Sequence, residues 1–479
     1  MDAVKLDWRE DGALAGCTAA VIGMARSGRA VVAALQARGA KVLAYDRDQI
    51  ARDDEIAGML SAGMTLSCGA GFPGVDQADF IVPSPGMPAD EDVLRDAVSR
   101  GVPVLSEIEV AYRISLAPLL AFTGSNGKST TTALCGHMLR TAGLDARIGG
   151  NLAPGTPLTR LADVSSRKQV LVAEISSFQL EWIHAFRPRV GAVLNVTEEH
   201  LQRHKTMRAY AAAKARIVEN QAGADLAIFG DSFAEEFPDL LSGDGRHYRF
   251  CRTHPVESGA YMDGDTMRIV GRVDPVEGSL PDLKIDVSRF RLEGGHNREN
   301  AMAAAMAALE MGVRPEAIEK ALRTFKGLPH RMELVAEVGG VRYINNSMCT
   351  NAAAAVASLE GVCGEAVVIT GGSSKGLNMR PFGEALARVA QWSVLIGQTA
   401  DEMEGYLLET ECRRYERATD MDDAVDRASR RAVAGQAVIL IPGFASFDMF
   451  HDFEDRGNAF ADAVRKLESG AAMPAGKER

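Results

Sequence analysis

No apolar run in this 479-residue chain approaches the roughly 18 residues that a membrane helix requires, so membrane insertion is not expected. The opening MDAVKLDWRE is polar and carries acids, unlike a secretory signal. Cysteine is scarce: seven residues, at 17, 68, 135, 251, 349, 363 and 412, odd in number and without C-x-x-C spacing. That fits neither a disulfide frame nor a zinc site, and it points to reduced thiols in the cytoplasm. Cys135 and Cys349 read as small buried apolar residues. A basic excess is also missing. Lys and Arg number 53 against 64 Asp and Glu, a net charge of −11, so no nucleic-acid partner is expected. A local basic pocket for an anionic substrate is still allowed. Low-complexity tracts and repeats of solenoid period are absent, which leaves an ordinary globular protein of several domains.

What is present is an alternation of apolar runs and helical spacings. "CTAAVIGMARSG", "RAVVAALQARGA" and "KVLAYDRD" read as strand, helix, strand, and "ADFIVPSPGMP" and "GVPVLSEIEVA" as two further strands. The same rhythm recurs in "PLLAFTGSNGKSTTTALCG", "QVLVAEISSFQLE" and "PRVGAVLNVTEEHL", and again in "VRYINNSMCTN", "EAVVITGGSSKG", "WSVLIGQTA" and "AVILIPGFASFDMF". The expected class is α/β with parallel sheets. Three domains are expected: a Rossmann-like first domain over 1–113, a central P-loop ATPase-type sheet over 114–327, and a Rossmann-like last domain over 328–479.

Two glycine turns attract attention. Gly23 to Gly28 keeps the outer glycines of G-x-G-x-x-G but has Ala25 in the middle, with Asp46 at the end of the next strand. A nucleotide-binding turn and a plain β-α turn both fit. The second turn, Thr123-Gly124-Ser125-Asn126-Gly127-Lys128-Ser129-Thr130, lacks the first glycine of the usual phosphate loop. It still offers converging backbone N–H groups, a lysine for β- and γ-phosphates and a hydroxyl for Mg²⁺, between an apolar strand and a helix.

The shortened T-G-x-N-G-K-[ST] loop resembles that of the Mur ligase family, which builds the peptide of the bacterial cell wall. "EISSFQLE", "NVTEEHLQRH", "AAKARI", "GGHNRENAMAA", "LPHRME", "GGSSKG" and "ASFDMFHDFEDRGNAF" follow in family order and cover nearly the whole chain. The set is most similar to the branch that adds D-glutamate. The resemblance implies an ATP-dependent ligase that forms an amide through an acyl phosphate. Its substrates would be UDP-N-acetylmuramoyl-L-alanine and D-glutamate, with two Mg²⁺ ions, and a monomer is expected. L-glutamate or another amino acid as acceptor, and an inactive nucleotide-binding paralogue, are the alternatives.

The same resemblance distributes roles. Lys128, Glu174, His200 and Lys214 would be catalytic, with Ser129, Glu174, His200 and a carbamylated Lys214 around the metal. Gly124, Ser125, Asn126, Gly127, Lys128, Ser129, Thr130, Asn297, Asn300, Arg331 and Asn346 would bind ATP, the two helix asparagines facing adenine. Ser27, Asp46, Ser84 and Gly86 would hold the UDP group, and Asn151, Ser177 and Gln179 the sugar-peptide. Thr350, Lys375, Ser446 and Phe453 would receive the amino acid. The family usually reads N-D-S-K-A-T-N after the hinge, where this chain has Asn345-Asn346-Ser347-Met348-Cys349-Thr350-Asn351. An acceptor for the ribose hydroxyls and a positive charge are thereby lost. Glu199 and Gln202 also depart from the usual acids around the histidine.

Overall fold

The computed structural model describes residues 7–69, 71–72, 75–152, 155–271, 282–290, 292, 294–362, 365–374 and 376–470. The chain divides into two compact units, 1–325 and 326–479.

The first unit carries two sheets. Strands β1 (Thr18–Ile22), β2 (Lys41–Asp46), β3 (Thr65–Cys68) and β4 (Phe80–Pro83) form a four-stranded parallel sheet in the order β3-β2-β1-β4. The second sheet has nine strands: β5 (Leu119–Thr123), β6 (Asp145–Gly150), β7 (Gln169–Glu174), β8 (Val190–Val193), β9 (Ala222–Gly230), β10 (Asp244–Cys251), β11 (Gly259–Asp263), β12 (Thr266–Val270) and β13 (Leu283–Asp286). Their order is β13-β12-β11-β10-β9-β8-β5-β7-β6, parallel from β6 to β11 and antiparallel in the last two pairings. β5, β7 and β8 are almost wholly buried, as expected of strands covered on both faces.

The two sheets share one apolar cluster, running from Trp8 and Val31 through Leu105 and Ile108 to Leu171 and Phe229. The stretch "GVPVLSEIEVA", read from its apolar run as a strand, supplies this link as a helix, Glu107–Ile114. Ser106 caps it by accepting from the Glu109 amide, and the S-x-x-E spacing is the signal that the strand reading passed over. Glu109 is buried and accepts from Arg113 and from the amides of His184, Ala185 and Phe186. Four donors on one carboxylate explain why a charge is tolerated there.

The second unit holds one six-stranded sheet: β14 (Glu333–Val338), β15 (Val341–Asn345), β16 (Ala366–Gly371), β17 (Trp392–Ile396), β18 (Tyr415–Arg417) and β19 (Ala437–Leu440). The order is β14-β15-β19-β16-β17-β18, with only the β14–β15 pairing antiparallel. Apolar clusters cover both faces of this sheet. Among the described residues, no helix is long and apolar enough to cross a membrane. Cys135 and Cys349 are buried as expected, and burial pushes both thiols well up.

Candidate functional site

The unusual glycine turn lies between buried β5 and the helix Lys128–Thr141, at the C-terminal edge of a parallel sheet where open α/β folds bind ligands. Gly127 takes φ +84° at the helix N-cap, and a Cβ there would stand 2.2 Å from Asn300 Oδ1. Both conformation and space therefore require glycine. The loop is fastened from the end of β8. Asn126 N donates to Asn195 Oδ1 (2.9 Å), Asn195 Nδ2 donates to the Asn126 carbonyl (3.1 Å), and Ser125 N donates to the Asn195 carbonyl (3.0 Å). Thr197 N donates to the Ser125 hydroxyl (2.9 Å). Asn195 and Thr197 are thus loop-positioning residues whose role the sequence reading did not assign. Asn300 accepts from Thr131 (3.2 Å) and donates to Asn297 (3.2 Å). Its side chain is buried against the loop itself.

The ammonium of Lys128 donates to the carbonyls of Gly124 (2.8 Å) and Ser125 (2.7 Å). Lys214, 1% exposed on the helix Met207–Ala215, donates to the same Gly124 carbonyl from the other side (2.8 Å). Its Nζ lies 4.4 Å from the centre of the Tyr210 ring. Burial, then the nearby charge of Lys128, pull the Lys214 amine down to about 6, against the opposing pull of Glu199 and Glu174. Above that pH the amine is mostly neutral. The Tyr210 hydroxyl, pushed up to about 12 chiefly by burial, donates to Glu199 (3.3 Å) and lies 3.3 Å from the Ser125 hydroxyl.

Glu174 closes β7 and is 4% exposed. Asn151 Nδ2 donates to its Oε1 (3.0 Å), whereas Oε2 is buried with no hydrogen-bond partner. A buried carboxylate oxygen without a donor is costly, and a hard cation would satisfy it. The donor set therefore fits Mg²⁺: Glu174, the buried Ser129 in the first helical turn, and the loop. His200 has φ +56° and an exposed side chain, with Nε2 3.6 Å from Glu199 Oε1. Its ring centre is 5.0 Å from Phe178 and 6.0 Å from Tyr210. Lys128, Gly124, Lys214, Tyr210, Glu199 and His200 thus form one connected cluster, with Glu174 close enough to influence Lys214. Thr130 is half-buried in the first turn of the loop's helix.

Two neighbouring residues expected at the sugar-peptide make contacts within the fold. Gln179 is buried and completes a capping box with Ser176, and its amide donates to Glu107 (3.3 Å). The S-x-x-Q spacing is the sequence signal for that role. Ser177 is buried and hydrogen-bonded to His204 Nε2 (3.0 Å). At the first sheet, Asp46 accepts from the amides of Met24 (2.6 Å) and Asp48 (3.0 Å), which draws the first glycine turn onto β2. A Cβ on Gly28 would lie 1.8 Å from the Gly23 carbonyl, and one on Gly23 would lie 2.7 Å from Ser84 Cβ. Ser84 therefore adjoins the turn, Ser27 lies in the helix that follows it, and Gly86 is exposed. A cavity of about 520 Å³ opens beside the turn, lined by Arg26, Arg29 and Arg160.

In the second unit, Arg456 is 1% exposed and nails two loops together. It donates to the Ser347 hydroxyl (3.0 Å) and to the carbonyls of Ser347, Phe444 and Ala445 (2.9–3.1 Å). Burial pulls its guanidinium down to about 10. This assigns a job to the arginine of "FEDRG". Asn346 is buried, donating to Ser358 (2.9 Å) and accepting from the Met332 amide (3.2 Å). Thr350 lines a small hollow with Ser374, Gly443 and Phe444, and Ser446 is buried nearby in the chain. Phe453 is half-buried, its ring centre 6.4 Å from that of His330, and Arg331 follows His330 and is half-buried. Lys375 lies outside the described residues.

Residues 122–308 match the Mur ligase middle domain, and residues 330–444 match the Mur ligase glutamate ligase domain. The chain is 40% identical to the UDP-N-acetylmuramoylalanine--D-glutamate ligase of Pelotomaculum thermopropionicum over 94% of its own length and 98% of that protein's. It is 38% identical to the enzyme of the same name from Koribacter versatilis, over 93% and 97%. In fold it is similar to MurF of Acinetobacter baumannii (TM-score 0.55, 18% identity, 89% and 91% covered). It is also similar to the UDP-N-acetylmuramate-alanine ligase of Thermotoga maritima (TM-score 0.52, 16% identity, 95% and 99% covered). With relatives of this identity spanning almost the entire chain, the protein belongs to the Mur ligase family.

Proposed function

We propose that the chain is an ATP-dependent ligase that joins the carboxylate of UDP-N-acetylmuramoyl-L-alanine to the amine of D-glutamate in cytoplasmic peptidoglycan precursor synthesis. The end-to-end similarity to D-glutamate ligases supports the substrate pair. The observation that carries the chemistry is the unpartnered buried Oε2 of Glu174 beside a phosphate loop and a near-neutral lysine.

A carboxylate is a poor acyl donor. Its oxygen attacks the γ-phosphorus of ATP, ADP leaves, and an acyl phosphate forms. The glutamate amine then attacks the acyl carbon, phosphate leaves with the bonding pair, and the amine gives up a proton. In the first step two anions meet, so the site must supply positive charge and donors. The loop amides and Lys128 take the β- and γ-phosphates. Ser129, Glu174 and His200 hold Mg²⁺, which when bound screens the phosphate oxygens and orients them.

Lys214 is suited to carbamylation. Its neutral amine can add to CO₂, giving R–NH–COO⁻ and releasing one proton, so a buried neutral group becomes an anion facing the metal site. Asn297 and Asn300 serve the nucleotide from the helix Gly295–Glu310, with Asn300 acting through the loop. Ser27, Asp46, Ser84 and Gly86 hold the uridine group in a Rossmann-like first domain (1–113), ahead of a central ATPase domain (114–327). Asn151 and Ser177 attend the sugar-peptide. Thr350, Lys375, Ser446 and Phe453 receive D-glutamate in a Rossmann-like last domain (328–479), where Arg331 contributes to the nucleotide phosphates. The protein acts as a monomer.

The acyl-phosphate route is tested by labelling the activated carboxylate of UDP-N-acetylmuramoyl-L-alanine with heavy oxygen. One labelled oxygen should appear in the released phosphate. Phosphate whose fourth oxygen comes from solvent, with no label, would defeat the mechanism.

A further inference from the structure

At the C-terminal edge of the second sheet, the register of β9 and β10 brings together three side chains that this function does not use. Phe250 pairs with Gly230, so the next residues, Cys251 and Asp231, stand side by side. Both are buried. His254, three residues beyond Cys251, turns back over them with its side chain 51% exposed. One ligand atom from each of the three lies within 4.8 Å of the others. We propose that Asp231, Cys251 and His254 form a Zn²⁺ site with three protein ligands and a fourth position for water.

Three observations point to a metal rather than to an ordinary polar cluster. First, the donor set is one thiolate, one imidazole and one carboxylate, a combination suited to zinc and unsuited to Mg²⁺. Second, His254 Nδ1 is 3.1 Å from the Pro255 carbonyl. That oxygen can only accept, so Nδ1 donates to it and the Nε2 edge of the ring is left facing Asp231. This is the outer hydrogen bond that fixes ligating histidines. Third, Nε2 is 3.0 Å from Asp231 Oδ2, and Arg249 is 3.8 Å from the other oxygen, Oδ1. The imidazole nitrogen and the carboxylate oxygen thus already stand near the spacing of two ligands on one ion.

A tetrahedral zinc ion with bonds of about 2.0–2.3 Å sets its ligands about 3.3–3.8 Å apart. The three ligand atoms, all within 4.8 Å of one another, need only a small further approach to reach that spacing. On binding, the Cys251 thiol gives its proton to solvent. Spacing alone pointed away from zinc, because Asp231 comes from a different strand and Cys251-x-x-His254 is only half of a ligand pair. The sheet register supplies the rest.

The test uses Co²⁺ as a spectroscopic substitute on the full chain after treatment with a chelator. One equivalent should give a thiolate-to-cobalt charge-transfer band, and Zn²⁺ should abolish it. Co²⁺ at an oxygen-and-histidine site such as that around Glu174 gives no thiolate band, so the two are distinguishable. Cys251→Ser should lose the band, and Cys412→Ser, a half-buried thiol elsewhere, should keep it. His254→Ala, at a half-exposed side chain, should weaken Co²⁺ binding on the order of 10- to 100-fold. No thiolate band in the unaltered protein overturns the proposal. So does a band that survives Cys251→Ser, or an affinity unchanged in His254→Ala; the last would leave Asp231 and His254 as a simple ion pair.

Discussion

The buried amine of Lys214 should make the stability of the first unit depend on pH in a direction set by its lowered pKa. In the unfolded chain a lysine titrates near its ordinary value of 10.5, while in the fold the amine is pulled down to about 6. Between those values the unfolded chain binds more protons than the folded one, so stability rises with pH. Below the folded value both states are protonated and the full cost of burying the charge is present. Above the unfolded value neither is. Each pH unit within the window is worth about 1.4 kcal/mol, so going from pH 6 to pH 9 should add about 4 kcal/mol from this group alone.

Lys214→Met keeps the length and apolar stem of the side chain and removes the titration. The Gly124 carbonyl still accepts from Lys128. The assay is urea unfolding of both proteins in CO₂-depleted buffer across that range. Trp392 is in the second unit, whereas Trp8 and Trp182 are in the first, so a Trp392→Phe background makes tryptophan fluorescence report the first unit. The unaltered lysine should gain about 4 kcal/mol relative to methionine from pH 6 to pH 9. Parallel curves for the two proteins would refute a depressed amine, and with it the basis for carbamylation.

Glu174→Gln keeps the contact with Asn151 but removes the anion, and turnover should fall at least about 100-fold, with a higher Mg²⁺ requirement in a phosphate-release assay. Gly127→Ala places a methyl against Asn300 in a left-handed backbone and should raise the KM for ATP, with partial recovery in Gly127→Ala/Asn300→Ala. Arg456→Met leaves several carbonyls of the second unit without a donor and should cost about 3–5 kcal/mol in its unfolding, with Arg456→Lys failing to restore it because an ammonium cannot span the same acceptors. Asn346→Asp should change stability by less than about 1 kcal/mol, since a carboxylate still accepts from the Met332 amide and from the Ser358 hydroxyl; a large loss would mean that the Asn346 amide donor is indispensable.

The parallel sheets were legible because strands buried on both faces leave near-continuous apolar runs, and because strand-loop-helix turns concentrate glycine. The phosphate loop was legible for the same reason: Gly127 is demanded by both φ and space. What was missed involves partners distant in sequence. "GVPVLSEIEVA" has a strand's apolarity, yet Ser106 and Glu109 start a helix whose buried acid is satisfied by amides near residue 185. Gln179 and Asn346 also make contacts within the fold: those of Gln179 with Ser176 are announced by the S-x-x-Q spacing, whereas its contact with Glu107 and those of Asn346 with Met332 and Ser358 have no local signal. Asn195, Thr197 and Arg456 stood inside recognisable stretches, but their work lies across a loop gap that only the fold closes.

The central claim is amide synthesis specific for D-glutamate. Phosphate release from ATP and Mg²⁺ in the presence of UDP-N-acetylmuramoyl-L-alanine, with D-glutamate, L-glutamate or no amino acid, tests it most directly. Release that requires D-glutamate is predicted. Release with L-glutamate alone, or none with either, would contradict it.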